Sequence, residues 1–172
     1  FRRSRGLGDV YKRQPSGGVF YPEYFGKNFV LNDLTHDGGL TAIRIEGPIN
    51  SVDQRLNRLS KELSLLDQEF SILDNEQSFI FWSRTKNLEV FKSLKSNLLR
   101  IVLPISETLQ VIQKLKSFEI KYFIDWGGSL IWASFDQLNT KILSEIKDIV
   151  KKHQGYITLI KVEEDLKASA DI

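Results

Sequence analysis

The chain has 172 residues, 41% of them hydrophobic and 27% charged, the balance of an ordinary globular protein with room for one domain or two small modules sharing a sheet. It contains no cysteine, which removes disulfides, thiolate nucleophiles and cysteine metal sites, and no apolar run approaches the length of a bilayer span. The formal net charge of +2 comes from residues 1–14 (FRRSRGLGDVYKRQ), where five basic side chains face Asp9 alone; the remainder is net acidic and offers no basic footprint for nucleic acid.

Residues 1–14 show no apolar periodicity and resemble a translated sequencing adapter, with DVYKRQ as the recognisable core, so they are set aside as a leader. The start at Phe1 and the lack of methionine are expected of a processed chain or a fragment. No secretion signal follows the basic residues. The expected location is cytoplasmic, with the inner face of the membrane open to the chain through partner subunits.

Residues 15–95 read as a first half. Gly18 to Tyr21 is a candidate strand, and Thr41 to Glu46 (TAIRIE) is a stronger one. Gly47-Pro48 breaks the chain, and Ser51 is the expected cap of a helix carrying Val52, Leu56, Leu59 and Leu63. Phe70 to Leu73 reads as a further strand, followed by a helix from Asn75 to Trp82 that bears Phe79, Ile80 and Trp82.

Residues 96–172 carry the clearer pattern. Leu98 to Leu103 (LLRIVL) is a short branched-apolar run, read as a buried strand ended by Pro104. Ser106 is the expected cap of a helix with Leu109, Val111, Ile112 and Leu115. Two strand-like runs follow, Glu119 to Ile124 and Ser129 to Ser134. Between them lies Asp125-Trp126-Gly127-Gly128, whose glycines suit a tight hairpin. Asp136 then caps a helix with Leu138, Ile142, Leu143, Ile146, Ile149 and Val150, Gly155 stops it, and Tyr156 to Ile160 is the last strand. The order is βαββαβ, a split βαβ or ferredoxin-like unit. The predicted fold is α+β: two such halves in one antiparallel sheet with helices on one face.

Several segments resemble, in family order, the FAD-binding E subunit of bacterial glycolate oxidase. TAIRIEGPINSVDQRLNRL is similar to a family strand and helix that begins LRIEGP, and LLRIVLPIS to its WRISVPPS strand. FIDWGGSLIWAS resembles its YDWGGGRLWL hairpin, HQGYITLIK its final strand, and PSGGVFYPEY its SGAAHLP strand. That family is of the vanillyl-alcohol-oxidase type, in which an FAD-binding domain is followed by a cap domain closing over the flavin. The resemblance places this chain in the cap. It implies FAD as cofactor, bound mainly by a domain this sequence does not contain, and a small 2-hydroxy acid such as glycolate as substrate. It also implies a homologous flavin subunit and an iron–sulfur subunit as partners, and no activity for the cap alone.

Oxidation of a hydroxy acid needs an anchor for the carboxylate, best supplied by an arginine fork. Arg100 interrupts LLRIVL, so it either points out by alternation or reaches into a pocket. Arg84 is a second candidate through the resemblance, because related flavin dehydrogenases carry an arginine shortly after a tryptophan on the corresponding helix, here Trp82-Ser83-Arg84. It reads equally as a solvated helix-end residue. Trp126, at the hairpin tip, is a candidate wall of the substrate pocket or contact for flavin or partner, or a turn residue folded onto the sheet. Arg44 alternates with Ile43 and Ile45 and reads as outward-facing, and Tyr122 and Trp132 read as sheet packing. No general base is assigned. His36 and His153 have no ligand-spaced companions, so no metal is expected, and His153 suits a helix C-terminus.

The competing function is a non-enzymatic ferredoxin-like module that senses a ligand or binds a protein. RNA binding through the same strand order is discounted, because Ser129 to Ser134 offers Trp132 alone and the domain is acidic.

Overall fold

The computed structural model of the protein describes residues 15–26, 38–66, 69–92, 94 and 97–162. Residues 1–14 and His36 lie outside the described residues. The elements in chain order are β1 (Gly17–Tyr21), α1 (Glu23–Gly26), β2 (Leu40–Arg44), α2 (Ile49–Leu65), α3 (Asn75–Lys86), β3 (Asn97–Val102), α4 (Thr108–Leu115), β4 (Lys121–Asp125), β5 (Leu130–Phe135), α5 (Thr140–Lys152) and β6 (Tyr156–Lys161).

All six strands lie in one antiparallel sheet, ordered β2-β1-β4-β5-β3-β6. The α+β class is as expected. From β3 onward the unit is a split βαβ, with β3 between β5 and β6 and β4 outside β5. Alternation along these strands builds two cores. Leu99, Ile101, Tyr122, Ile131 and Ala133 face α4 (Val111, Ile112, Leu115) and α5 (Leu143, Ile146, Val150). Leu98 and Phe123 project to the opposite face, where Val19 and Tyr21 of β1 join Phe81 of α3, Phe25 and Phe91.

The first half departs from a second split βαβ copy, and helices are not confined to one face. α4 and α5 cover one side; α3, α1 and a 3-10 turn at Glu89–Phe91 cover the other over β1 and β4. Phe70 to Leu73 forms no strand. A four-residue run cannot be told by periodicity from an extended lead-in, and extended backbone is what Asp74 needs to cap α3. Its carboxylate accepts from the Gln77 N–H at 2.8 Å, and the Gln77 side chain accepts from the Asp74 N–H at 3.1 Å, a capping box.

The other caps shift similarly. α2 begins at Ile49 behind Pro48, whose ring fixes φ near −57°, so Ser51 lies inside the helix. Ser106 sits in a 3-10 turn ahead of α4. Asn139, not Asp136, caps α5, accepting from the Ile142 N–H at 2.9 Å. The left-handed residue after α5 is Gln154 (φ 59°), while Gly155 follows it and donates to Val150 O at 2.9 Å.

Two features near β4 position the site described below. β1 pairs with β4 only at Phe20–Ile124. Where β1 has left, the Tyr24 hydroxyl takes the place of a neighbouring strand: it accepts from the Tyr122 N–H at 2.8 Å and donates to Tyr122 O at 3.0 Å. Burial pushes the Tyr24 phenol well above its ordinary range, so it stays protonated for that donation. No helix among the described residues is long and apolar enough to cross a membrane.

Candidate functional site

The β4–β5 hairpin closes through a turn at Trp126–Gly128. The Asp125 carboxylate accepts from the Trp126 N–H at 2.7 Å, and the Ser129 hydroxyl donates to Trp126 O at 3.2 Å. Gly127 (φ 62°) and Gly128 (φ 117°) take the positive φ expected of them, and so does Trp126 (φ 51°). The other non-glycine residues with positive φ among the described residues, Leu88, Glu119 and Gln154, each follow the end of a helix or 3-10 turn. Trp126 alone among them is held this way in a hairpin tip, a conformation costing of order 1–3 kcal/mol. Its indole is 56% exposed.

Arg100 of β3 is opposite Trp132 of β5 on one side and Thr158 of β6 on the other. By alternation it shares the face of Leu98, the face that α3 covers further along the sheet. Its guanidinium lies 4.8 Å from the Trp126 ring centroid, within cation–π range. Across the same face Arg44 of β2 lies over Trp82 of α3 at 5.8 Å, and its guanidinium pairs with Glu46 at 2.6 Å. Gly17 lets the chain pass under Trp82: a Cβ there would come within 3.3 Å of the indole.

These groups line a cleft of about 310 Å³ bounded by Arg44, Trp82, Lys86, Arg100, Asp125, Trp126 and Trp132, with Thr85, Leu88 and Leu130 beneath. All three tryptophans of the chain therefore face one cleft, with three cations and one carboxylate. Asp125 is desolvated there, which pushes its carboxyl above the ordinary range, while the Trp126 N–H and the Trp132 indole N–H hydrogen-bond the carboxylate and oppose that rise. No carboxylate among the described residues forms an ion pair with Arg100. The arrangement can hold an anion at Arg100, stack a flat group among the indoles, and accept a hydrogen bond at Asp125.

Of the residues singled out in the sequence, the structure brings Arg100 and Trp126 into contact. Arg84 does not line the cleft. It lies at the end of α3 with its guanidinium 3.7 Å from Glu89, because two residues of helix turn it well away from Trp82. Trp132 does more than pack the sheet, and Arg44, expected to face outward, faces the cleft. Lys86 and Asp125 were not anticipated, although Lys86 stands at the i,i+4 position to Trp82 on one helix face. His153 is buried between Glu107 (Nδ1 to Oε2, 2.6 Å) and Lys114 (Nε2 to Nζ, 2.8 Å), tying α4 to the end of α5. Among the described residues no three carboxylates or histidines gather as metal ligands.

No protein-family model, curated protein or solved structure matches the chain.

Proposed function

We propose that the chain is the substrate-side cap of an FAD-dependent 2-hydroxy-acid oxidoreductase of the glycolate-oxidase type. It acts with an FAD-binding domain outside this sequence and with flavin and iron–sulfur partner subunits. The observation that carries this reading is Arg100. It is a guanidinium held over the strained Trp126 of the DWGG turn, without an acidic partner among the described residues, in a cleft that also holds a carboxylate. The indole face holds the guanidinium by cation–π attraction, and a guanidinium so held can grip a substrate carboxylate at two points. Asp125 stands on the same wall, placed to accept a hydrogen bond from the substrate hydroxyl.

Flavin, when bound, would supply the hydride acceptor. The described residues have no glycine-rich helix start with which to cradle its pyrophosphate. Their contribution is a surface: Tyr156 and Ile160 of β6 lie exposed on the same sheet face as Arg100, and Trp126 forms the rim. A flat ring carried by another domain could rest there, with the cleft beneath it.

The deciding experiment is to express the complete reading frame and record flavin absorbance with and without glycolate and longer 2-hydroxy acids. A bound flavin that bleaches on adding one of them supports the proposal. A colourless complete protein with no FAD-binding domain overturns it and leaves the ligand-sensing or protein-interaction module.

A further inference from the structure

The cleft is larger and more aromatic than the smallest hydroxy acids require. Its volume of about 310 Å³ is open on one side, and glycolate would leave most of it to water. The chain spends every one of its tryptophans on these walls. Tryptophan is the residue best suited to stack flat rings, and indole faces flanked by guanidinium are a surface for planar anionic groups.

The two arginines are not equivalent. Arg44 is already neutralised by Glu46 at 2.6 Å, whereas Arg100 has no acidic partner among the described residues. Lys86 at the other end also forms no ion pair among the described residues, but Arg100 is the unpaired cation held against an indole face, 4.8 Å from the Trp126 centroid, so the anion is placed at the Arg100 end. Trp126 flanks that end, Trp132 is paired across the strands with Arg100, and Trp82 forms the far wall beside Arg44. A ligand spanning them has its acid at one end and its ring between the indoles.

We infer that the cleft takes an aromatic carboxylate, its carboxylate on Arg100 and its ring among Trp82, Trp126 and Trp132. This deepens the oxidoreductase reading, which adds that the ligand also carries a 2-hydroxyl directed to Asp125. The ring and the carboxylate are inferred from the cleft itself and stand apart from the hydroxyl.

The test uses the 172-residue chain, because its intrinsic fluorescence comes from tryptophans that all line the cleft. Emission, excited at the red edge of the indole band, is titrated with 3-phenyllactate, with 3-phenylpropionate (no hydroxyl), with lactate (no ring) and with 3-phenylpropanol (no carboxylate). The expected result is saturable binding of phenyllactate, with lactate and phenylpropanol each weaker by about tenfold or more. Arg100→Gln should weaken phenyllactate by about tenfold or more while far-ultraviolet circular dichroism is unchanged, and Arg100→Lys should restore part of the loss. Lactate binding as tightly as phenyllactate would overturn the aromatic assignment and leave the hydroxy-acid reading in place. Phenylpropionate binding as tightly as phenyllactate would uphold the aromatic assignment and count against a hydroxyl-specific function. No saturable change, or binding indifferent to Arg100→Gln, would overturn the inference outright.

Discussion

The end of α5 sets two adjacent substitutions against each other. Gln154 donates to Lys151 O at 3.0 Å and Gly155 to Val150 O at 2.9 Å, the paired hydrogen bonds of a Schellman ending. The position that demands left-handed backbone is Gln154, at φ 59°, where an L side chain costs roughly 1–2 kcal/mol. Gln154→Gly removes that strain but adds backbone freedom to the unfolded chain worth roughly 0.5–1 kcal/mol. The net expectation is a gain of about 0.5–1 kcal/mol, or roughly 1–4 °C in melting midpoint at this chain length. Gly155→Ala goes the other way. The new methyl would sit 2.8 Å from Val102 O and from Val150 Cγ1, and 3.0 Å from Leu103 Cβ. Two of those three atoms belong to β3 and the segment just after it, so they cannot swing aside as a flexible side-chain tip can. Overpacking of this kind costs about 1–3 kcal/mol, a fall of roughly 2–12 °C. Thermal melts followed by circular dichroism would decide it. A Gln154→Gly protein that melts below the parent, or a Gly155→Ala protein that melts with it, would refute the assignment of strain to one residue and crowding to the next.

Tyr24→Phe should destabilise by about 1–3 kcal/mol in urea unfolding, since both the N–H and the C=O of Tyr122 lose their partner; a variant as stable as the parent would mean that water replaces the phenol without loss. In the hairpin, Gly128→Ala should cost more than Gly127→Ala. The first places a methyl 2.8 Å from Ile105 Cγ1 at φ 117°, while the second meets open space and only the left-handed penalty of about 1 kcal/mol. Equal melting points for the two alanine variants would contradict this. Asp125 supplies the pH prediction. Its carboxyl is raised in the fold, chiefly by burial. A raised folded-state pKa gives stability that is full below the unfolded pKa and lost as pH rises through the folded one. Asp125→Asn removes that loss, so its stability relative to the parent should improve steadily from acid to neutral pH. Urea midpoints that run parallel across that range would show that the carboxylate is not penalised.

Legibility in the sequence followed burial. The βαββαβ unit could be read directly because β3 and β5 are buried on both faces, so Leu98 to Leu103 and Ser129 to Ser134 stand out as apolar runs with turn residues between them. The first half hid its architecture. α2 starts behind Pro48 with no side-chain cap, and no residue of α2 is buried, so its stripe of Val52, Leu56, Leu59 and Leu63 overstates its packing. In the site, the interruption of LLRIVL by Arg100 and the placement of Trp126 in a glycine turn were visible locally. Arg44 was not, because alternation says which face a side chain takes but not that α3 covers that face. Arg84 rests on the resemblance, which places an arginine shortly after a tryptophan, whereas helical geometry sets Lys86 on the face of Trp82.

The sheet has one weak joint, and the cleft straddles it. β3 and β5 are in register over six residue pairs from Asn97–Phe135 to Val102–Leu130, whereas β1 meets β4 at the single pair Phe20–Ile124. Arg100, Asp125, Trp126 and Trp132 belong to the firmly laddered side; Arg44 rides with the β1–β2 arm, against which Trp82 rests. Amide protons of β3 and β5 should therefore be the slowest to exchange, and those of β1 and β2 should exchange earlier as a separate cooperative block. Arg44 sits on one side of that joint and Arg100 on the other, so the separation between the two guanidiniums depends on the joint as well as on the walls.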